Sequence, residues 1–163
     1  LELHAGQTLT VFFGLNGQGT AASLRKRTYS AWSYDLVTSR LKLAVCTFSE
    51  GPGAEWDQQC QPGDTVHFYG PGGKFMLDPT AFAYALLGDV SCLAHFYELR
   101  RKLPPHIPMA SVVHACHADD CFPDLNGNWP LHVVVADTLS ASQYLAAAES
   151  QGLQRAAPQA LIY

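Results

Sequence analysis

Ala83-Tyr-Ala-Leu-Leu-Gly-Asp-Val-Ser-Cys-Leu-Ala-His-Phe-Tyr-Glu-Leu-Arg-Arg-Lys-Leu-Pro-Pro105 is the stretch in which the period of the chain changes. Ala83 to Leu87 is an apolar run of strand length, closed by Gly88-Asp89. From Ser91 to Leu103 the residues Leu93, Phe96, Tyr97 and Leu99 or Arg100 recur at helical spacing. Arg100, Arg101 and Lys102 crowd the end of that segment, where cations complement the helix dipole, and Pro104-Pro105 stops it. Downstream, Met109 to Cys116 and Leu131 to Val135 are strand candidates, and Ser140 to Gly152 is an Ala-rich helix. This order predicts a parallel α/β layer.

Upstream the punctuation is that of antiparallel β structure. Thr8 to Phe13 reads as a strand, followed by a loop over Gly14 to Gly19. Thr28 to Tyr34 and Leu41 to Phe48 read as further strands, the second broken by Gly51-Pro52-Gly53. Gln61 to Tyr69 sets a Pro-Gly turn before another strand, and Gly70-Pro-Gly-Gly73 closes the region. Short strands so spaced predict a small barrel or sandwich. The boundary between the halves falls near Met76 to Thr80, giving domains over 1–78 and 79–163.

Composition narrows the function. Of 163 residues 48% are hydrophobic and 15% charged, which excludes a disordered chain. Ten Lys plus Arg against fourteen Asp plus Glu give a net charge of -4, which argues against a nucleic-acid partner. No apolar run is long enough for a membrane helix, and no signal peptide is legible. Five cysteines, an odd number, point to a reducing compartment. The expectation is a soluble, cytoplasmic protein with no membrane partner. The first residue is not Met, and the start of the barrel reads as clipped.

Arg27-Thr28-Tyr29-Ser30 is the most informative tetrapeptide. On a strand, residues 27 and 29 face one side, and 28 and 30 the other. An Arg beside a Tyr suits a phosphate on the guanidinium fork and a planar ring on the phenol. The same residues also read as a surface Arg beside a half-buried strand Tyr. Four later landmarks, in order, add weight: Gly51-Pro-Gly-Ala-Glu-Trp56, Pro62-Gly-Asp64, Gly70-Pro-Gly-Gly73 and an apolar strand ending in Gly88-Asp89. Over residues 5 to 137 this resembles the siderophore-interacting protein family of flavin reductases, within the ferredoxin-reductase-like superfamily.

The resemblance implies an FAD-binding β-barrel followed by a short α/β layer of the NAD(P)H-binding kind. Arg27 would pair with the FAD phosphates, Tyr29 would pack on the isoalloxazine, and Ser30 would hydrogen-bond near flavin N5. The segment from Ala44 to Phe48 would pass beside the flavin, with Gly53, Ala54 and Trp56 at the pyrophosphate and adenosine side. A glycine and a small residue let backbone N–H groups approach an anion closely. Gly88, Asp89 and Ser91 would form the nicotinamide side. Val90 and Ser91 stand where the family has Glu and Thr, with the Ser91 hydroxyl substituting for that of Thr. The implied activity passes electrons from NAD(P)H through noncovalent FAD to a ferric siderophore, releasing iron. Such chemistry belongs to the cofactors and needs no catalytic side chain. Two alternatives stand beside it: another stand-alone flavin reductase, and a flavin- or siderophore-binding module without turnover.

Other motifs do not complete. Gly70 to Phe75 misses both G-x-G-x-x-G and the phosphate-binding P-loop. His114, Cys116, His117, Asp119, Asp120 and Cys121 have zinc-ligand chemistry, but strand alternation sends His114 and Cys116 to one side and His117 to the other. No metal site is expected.

Overall fold

Leu9, Val11 and Phe13 alternate with Thr8, Thr10 and Phe12, and this period of two forms β1 (Thr8–Phe13) with its odd residues buried. The computed structural model describes residues 2–14, 25–47, 50–153 and 161–162. They fall into two units, Leu1–Lys74 and Phe75–Tyr163. In the first, β2 (Arg25–Asp35), β3 (Arg40–Leu43) and β4 (His67–Gly72) join β1 in a sheet of order β3-β2-β1-β4, with every pairing antiparallel. Leu9 stands opposite Tyr29, Val11 opposite Arg27 and Phe13 opposite Arg25. Arg25, Arg27 and Tyr29 therefore share the face that carries the buried side chains of β1. The other face carries Thr10 and Thr28, whose hydroxyls lie 3.5 Å apart.

Three local expectations are corrected here. The strand read over Leu41 to Phe48 is β3 alone, ending at Leu43 opposite Ala31, one pair past a register shift between Ala31 and Ser33. Phe48, like residues 15–19 of the expected loop, lies outside the described residues. Gly51-Pro-Gly53 is no ordinary loop but the start of a helix, α1 (Pro52–Asp57), with proline in the first turn, where its missing N–H costs nothing. Gly70-Pro71-Gly72 is not a terminator but the end of β4, an edge strand on which proline is tolerated.

The second unit is a parallel sheet of order β7-β6-β5-β8, built from β5 (Tyr84–Asp89), β6 (Met109–Ala115), β7 (Val133–Val135) and β8 (Leu161–Ile162). β5 and β6 are buried over most of their length, as parallel strands covered on both faces are. A single 3-10 turn, Val90–Cys92, leads into α2 (Leu93–Lys102), and α3 (Ala141–Glu149) follows β7. Tyr84 packs with Ala81 and Leu103, whereas Ala110 and Val112 pack with Ala148 of α3, so the two helices serve opposite faces of the sheet. Ser140 caps α3 through a reciprocal box with Gln143. The Gln151 side-chain amide accepts from the Ser111 N–H at 3.1 Å and donates to its carbonyl at 2.9 Å, ahead of Val113, where the pairing of β6 with β7 begins. β8 was not expected from the sequence. An antiparallel sheet followed by a parallel α/β layer is the fold class the sequence predicts.

Candidate functional site

In the first unit α1 lies over the buried face of the sheet. The Trp56 ring sits 5.9 Å from that of Phe13, and Phe13 meets Tyr29 edge-on at 6.5 Å and 84°. The Tyr29 hydroxyl rests against Gly53: a Cβ on that glycine would lie 2.1 Å from Oη and 3.4 Å from both Tyr29 Cζ and Val45 Cγ1. Pro52, Gly53 and Ala54 are buried in this contact. Burial raises the Tyr29 phenol above its ordinary pKa, with the Arg27 charge opposing and Cys46 adding to the rise.

Two arginines on the same strand and face differ in state. Arg25 is held by Glu55 of α1 in a two-pronged pair, Nη1 to Oε1 at 2.9 Å and Nη2 to Oε2 at 2.5 Å. That bond lowers the Glu55 carboxyl below its ordinary range. Arg27 is exposed, donates from Nη1 to the Lys26 carbonyl at 3.0 Å, and pairs with no carboxylate among the described residues. Its Nη2 stands 3.9 Å from where a Cβ on Gly51 would be. Its fork is open to an anion at the head of α1, which fits a phosphate-bearing group.

The structure thus brings Arg27, Tyr29, Gly53, Ala54 and Trp56 together around α1. It sets Ser30 apart from them, opposite Thr8 on the other face of the strand pair. Phe13 and Glu55 are the members the sequence did not single out. Phe13 was discoverable from its parity with Leu9 and Val11. Glu55 carried no signal, because its partner is fixed only by the way α1 packs.

The second unit uses its assigned residues differently. Asp89 Oδ1 accepts from the Ser91 N–H at 2.8 Å and from the Ser91 hydroxyl at 2.5 Å, capping the turn that starts α2. The Gly88 carbonyl accepts from the Tyr144 hydroxyl at 3.0 Å, and the Asp89 carbonyl from the Cys92 thiol at 2.7 Å. Burial is the main cause that raises the Tyr144 phenol and, much further, the Cys92 thiol, so neither ionises near neutral pH. The turn stands at the carboxyl end of parallel strands, where open α/β sheets bind ligands. His114 is committed to the Ala136 carbonyl at 2.7 Å, and no group of three or more metal-ligating side chains forms among the described residues. No helix among them is long and apolar enough to cross a membrane.

Residues 5–75 match the family model of the siderophore-interacting FAD-binding domain. The resemblance carried by Arg27-Thr-Tyr-Ser30 and Gly51 to Trp56 is borne out over that segment. No curated protein matches the chain by sequence. Among solved structures, a siderophore utilization protein from T. fusca aligns with a TM-score of 0.74 at 18% identity, covering 99% of this chain and 68% of that one. The siderophore-interacting protein SipS from Aeromonas hydrophila aligns at 0.69 and 19% identity, covering 98% and 66%. A ferredoxin NADP+ reductase from Neisseria gonorrhoeae, solved with bound FAD and NADP, aligns at 0.63 and 15% identity, covering 98% and 73%. The chain spans about two thirds of the length of the two siderophore-related structures. At these identities the likeness is one of fold, an antiparallel sheet followed by a parallel α/β layer.

Proposed function

We propose that this chain binds FAD noncovalently and passes electrons from NAD(P)H to a ferric siderophore. The observation that carries the reading is Arg27, a cation without a carboxylate partner among the described residues, on the same face as Tyr29 and beside α1, within the segment matching a siderophore-interacting FAD-binding domain. In this reading 1–78 holds the flavin and 79–163 receives the nicotinamide. Bound FAD supplies the exchange between hydride and single-electron transfer, and iron once ferrous is a poorer match for hard oxygen chelators.

The chain's own residues position and screen. Arg27 neutralises the FAD phosphates, and Tyr29 sets one wall against the isoalloxazine. Gly53, Ala54 and Trp56 shape the pyrophosphate and adenosine side, and Ser30, on the opposite face of the strand pair, has no part in this reading. At the carboxyl end of β5, Gly88, Asp89 and Ser91 present the turn to the nicotinamide, with the Asp89 side chain retained as the cap. No side chain is required to move a proton.

A second reading has a specific observation behind it. Because Asp89 and Ser91 satisfy one another, the same fold also suits a flavin-binding module reduced by a separate donor. Visible absorption of the purified protein separates the two. The flavin band is expected, with bleaching by NADH or NADPH and capture of ferrous iron by a colorimetric chelator when a ferric siderophore is present. A band that only dithionite bleaches selects the module, and protein that takes up no FAD overturns both.

A further inference from the structure

Gly53 lies in α1 with a backbone φ outside the left-handed region, so nothing in its conformation demands glycine. Alanine is the better helix former at such a position. What forbids a side chain is space, since the Tyr29 hydroxyl occupies the place a Cβ would take, 2.1 Å away. The other neighbours of that Cβ, Tyr29 Cζ and Val45 Cγ1, would stand at 3.4 Å, within ordinary contact. Phe13 closes on the Tyr29 ring edge-on, so a displaced phenol has a packed neighbour on that side.

We infer that Gly53 is the seat of the Tyr29 phenol, a positioning residue that fixes the Tyr29 ring in the FAD site. The inference rests on the flavin reading for its consequence and on the Gly53–Tyr29 contact for its cause. Alanine at 53 must push the hydroxyl aside, and the ring turns with it. Removing that hydroxyl removes the conflict while leaving the ring.

The test is a double-mutant cycle of Gly53→Ala and Tyr29→Phe, read by FAD titration well below the unfolding temperature and by thermal unfolding of FAD-free protein. Gly53→Ala alone is expected to weaken FAD about three- to tenfold, the equivalent of forcing one side chain off its rotamer. The double variant is expected to bind FAD more tightly than Gly53→Ala, and to recover the melting temperature that Gly53→Ala loses. A merely structural glycine would shift unfolding without shifting affinity. Equal losses from Gly53→Ala with and without Tyr29→Phe overturn the inference and give the glycine to the ligand. So does failure of both glycine variants to fold. Wild-type protein that binds no FAD removes the flavin reading instead. The seat is then decided by unfolding alone, where recovery in the double variant retains it and additivity ends it.

Discussion

The two units carry similar inventories of polar motif residues and put them to opposite uses. In the first, Glu55 neutralises Arg25, while Arg27 on the same strand face has no carboxylate among the described residues. In the second, several charged and hydroxyl groups are absorbed by partners within the fold. Asp89 caps Ser91, the buried Asp124 takes Arg101, which also reaches Glu98 at 2.7 Å, and Tyr97 donates to the Phe122 carbonyl at 2.7 Å. His95, 1% exposed, lies against Phe75 and Phe96 and hydrogen-bonds to the Phe75 backbone. A motif residue is evidence of a site only when its hydrogen-bonding capacity is left over after folding. By that criterion the first unit is the stronger candidate.

The sharpest way to test this division is acid. Burial lowers the His95 pKa from 6.5 to about 4, against the raising effect of its hydrogen bond at Phe75. Between those values the unfolded chain binds a proton that the folded chain refuses. Stability is therefore full above the unfolded pKa and falls as pH drops toward the folded one, by on the order of 3 kcal/mol. Thermal unfolding from pH 7 down to the folded pKa should show that fall, and His95→Gln should flatten it. An unchanged slope in the variant would mean that His95 is not neutralised by its surroundings.

Next in size is the charge left over in the first unit. Arg27→Ala should weaken FAD binding by about one to two decades, the equivalent of roughly 1.5–3 kcal/mol for a charge-assisted contact. Arg40→Ala, on β3 opposite Asp35, serves as the control and should leave FAD affinity near wild type. Fluorescence titrations giving both variants the same affinity would erase the distinction between the open and the absorbed charges.

Legibility followed the range of the interactions. β1 and the sharing of one side by Arg27 and Tyr29 depend only on a period of two, and both were readable. The β5–α2–β6 order was readable from the change of period and from Pro104-Pro105. α1 was hidden because Gly-Pro-Gly is turn chemistry until the proline is seen to occupy a first helical turn. β8 has two residues and exists only through the β5 edge. At the site, Gly53 meets the Tyr29 phenol, a contact the sequence did not point to. A glycine that admits a distant phenol looks, in sequence, the same as one that admits a phosphate. The Asp89–Ser91 pairing is short-range and could have been anticipated from an aspartate two residues before a serine at a helix start.

The smallest expected effect bears on that pairing. Asp89→Ala removes an N-cap acceptor and should lower stability by about 0.5–2 kcal/mol, whereas Asp89→Asn keeps an oxygen in place and should recover most of it. If the side chain serves only the turn, neither substitution should change the ratio of nicotinamide-driven to dithionite-driven flavin reduction beyond what instability explains. Asp89→Asn is the informative variant, since it separates charge from capping. Should it melt like wild type yet slow reduction by NADH or NADPH selectively, the carboxylate would be acting on the nicotinamide through its charge. The second unit would then have kept back one group for a ligand as well, and the contrast between the two units would narrow to a difference of degree.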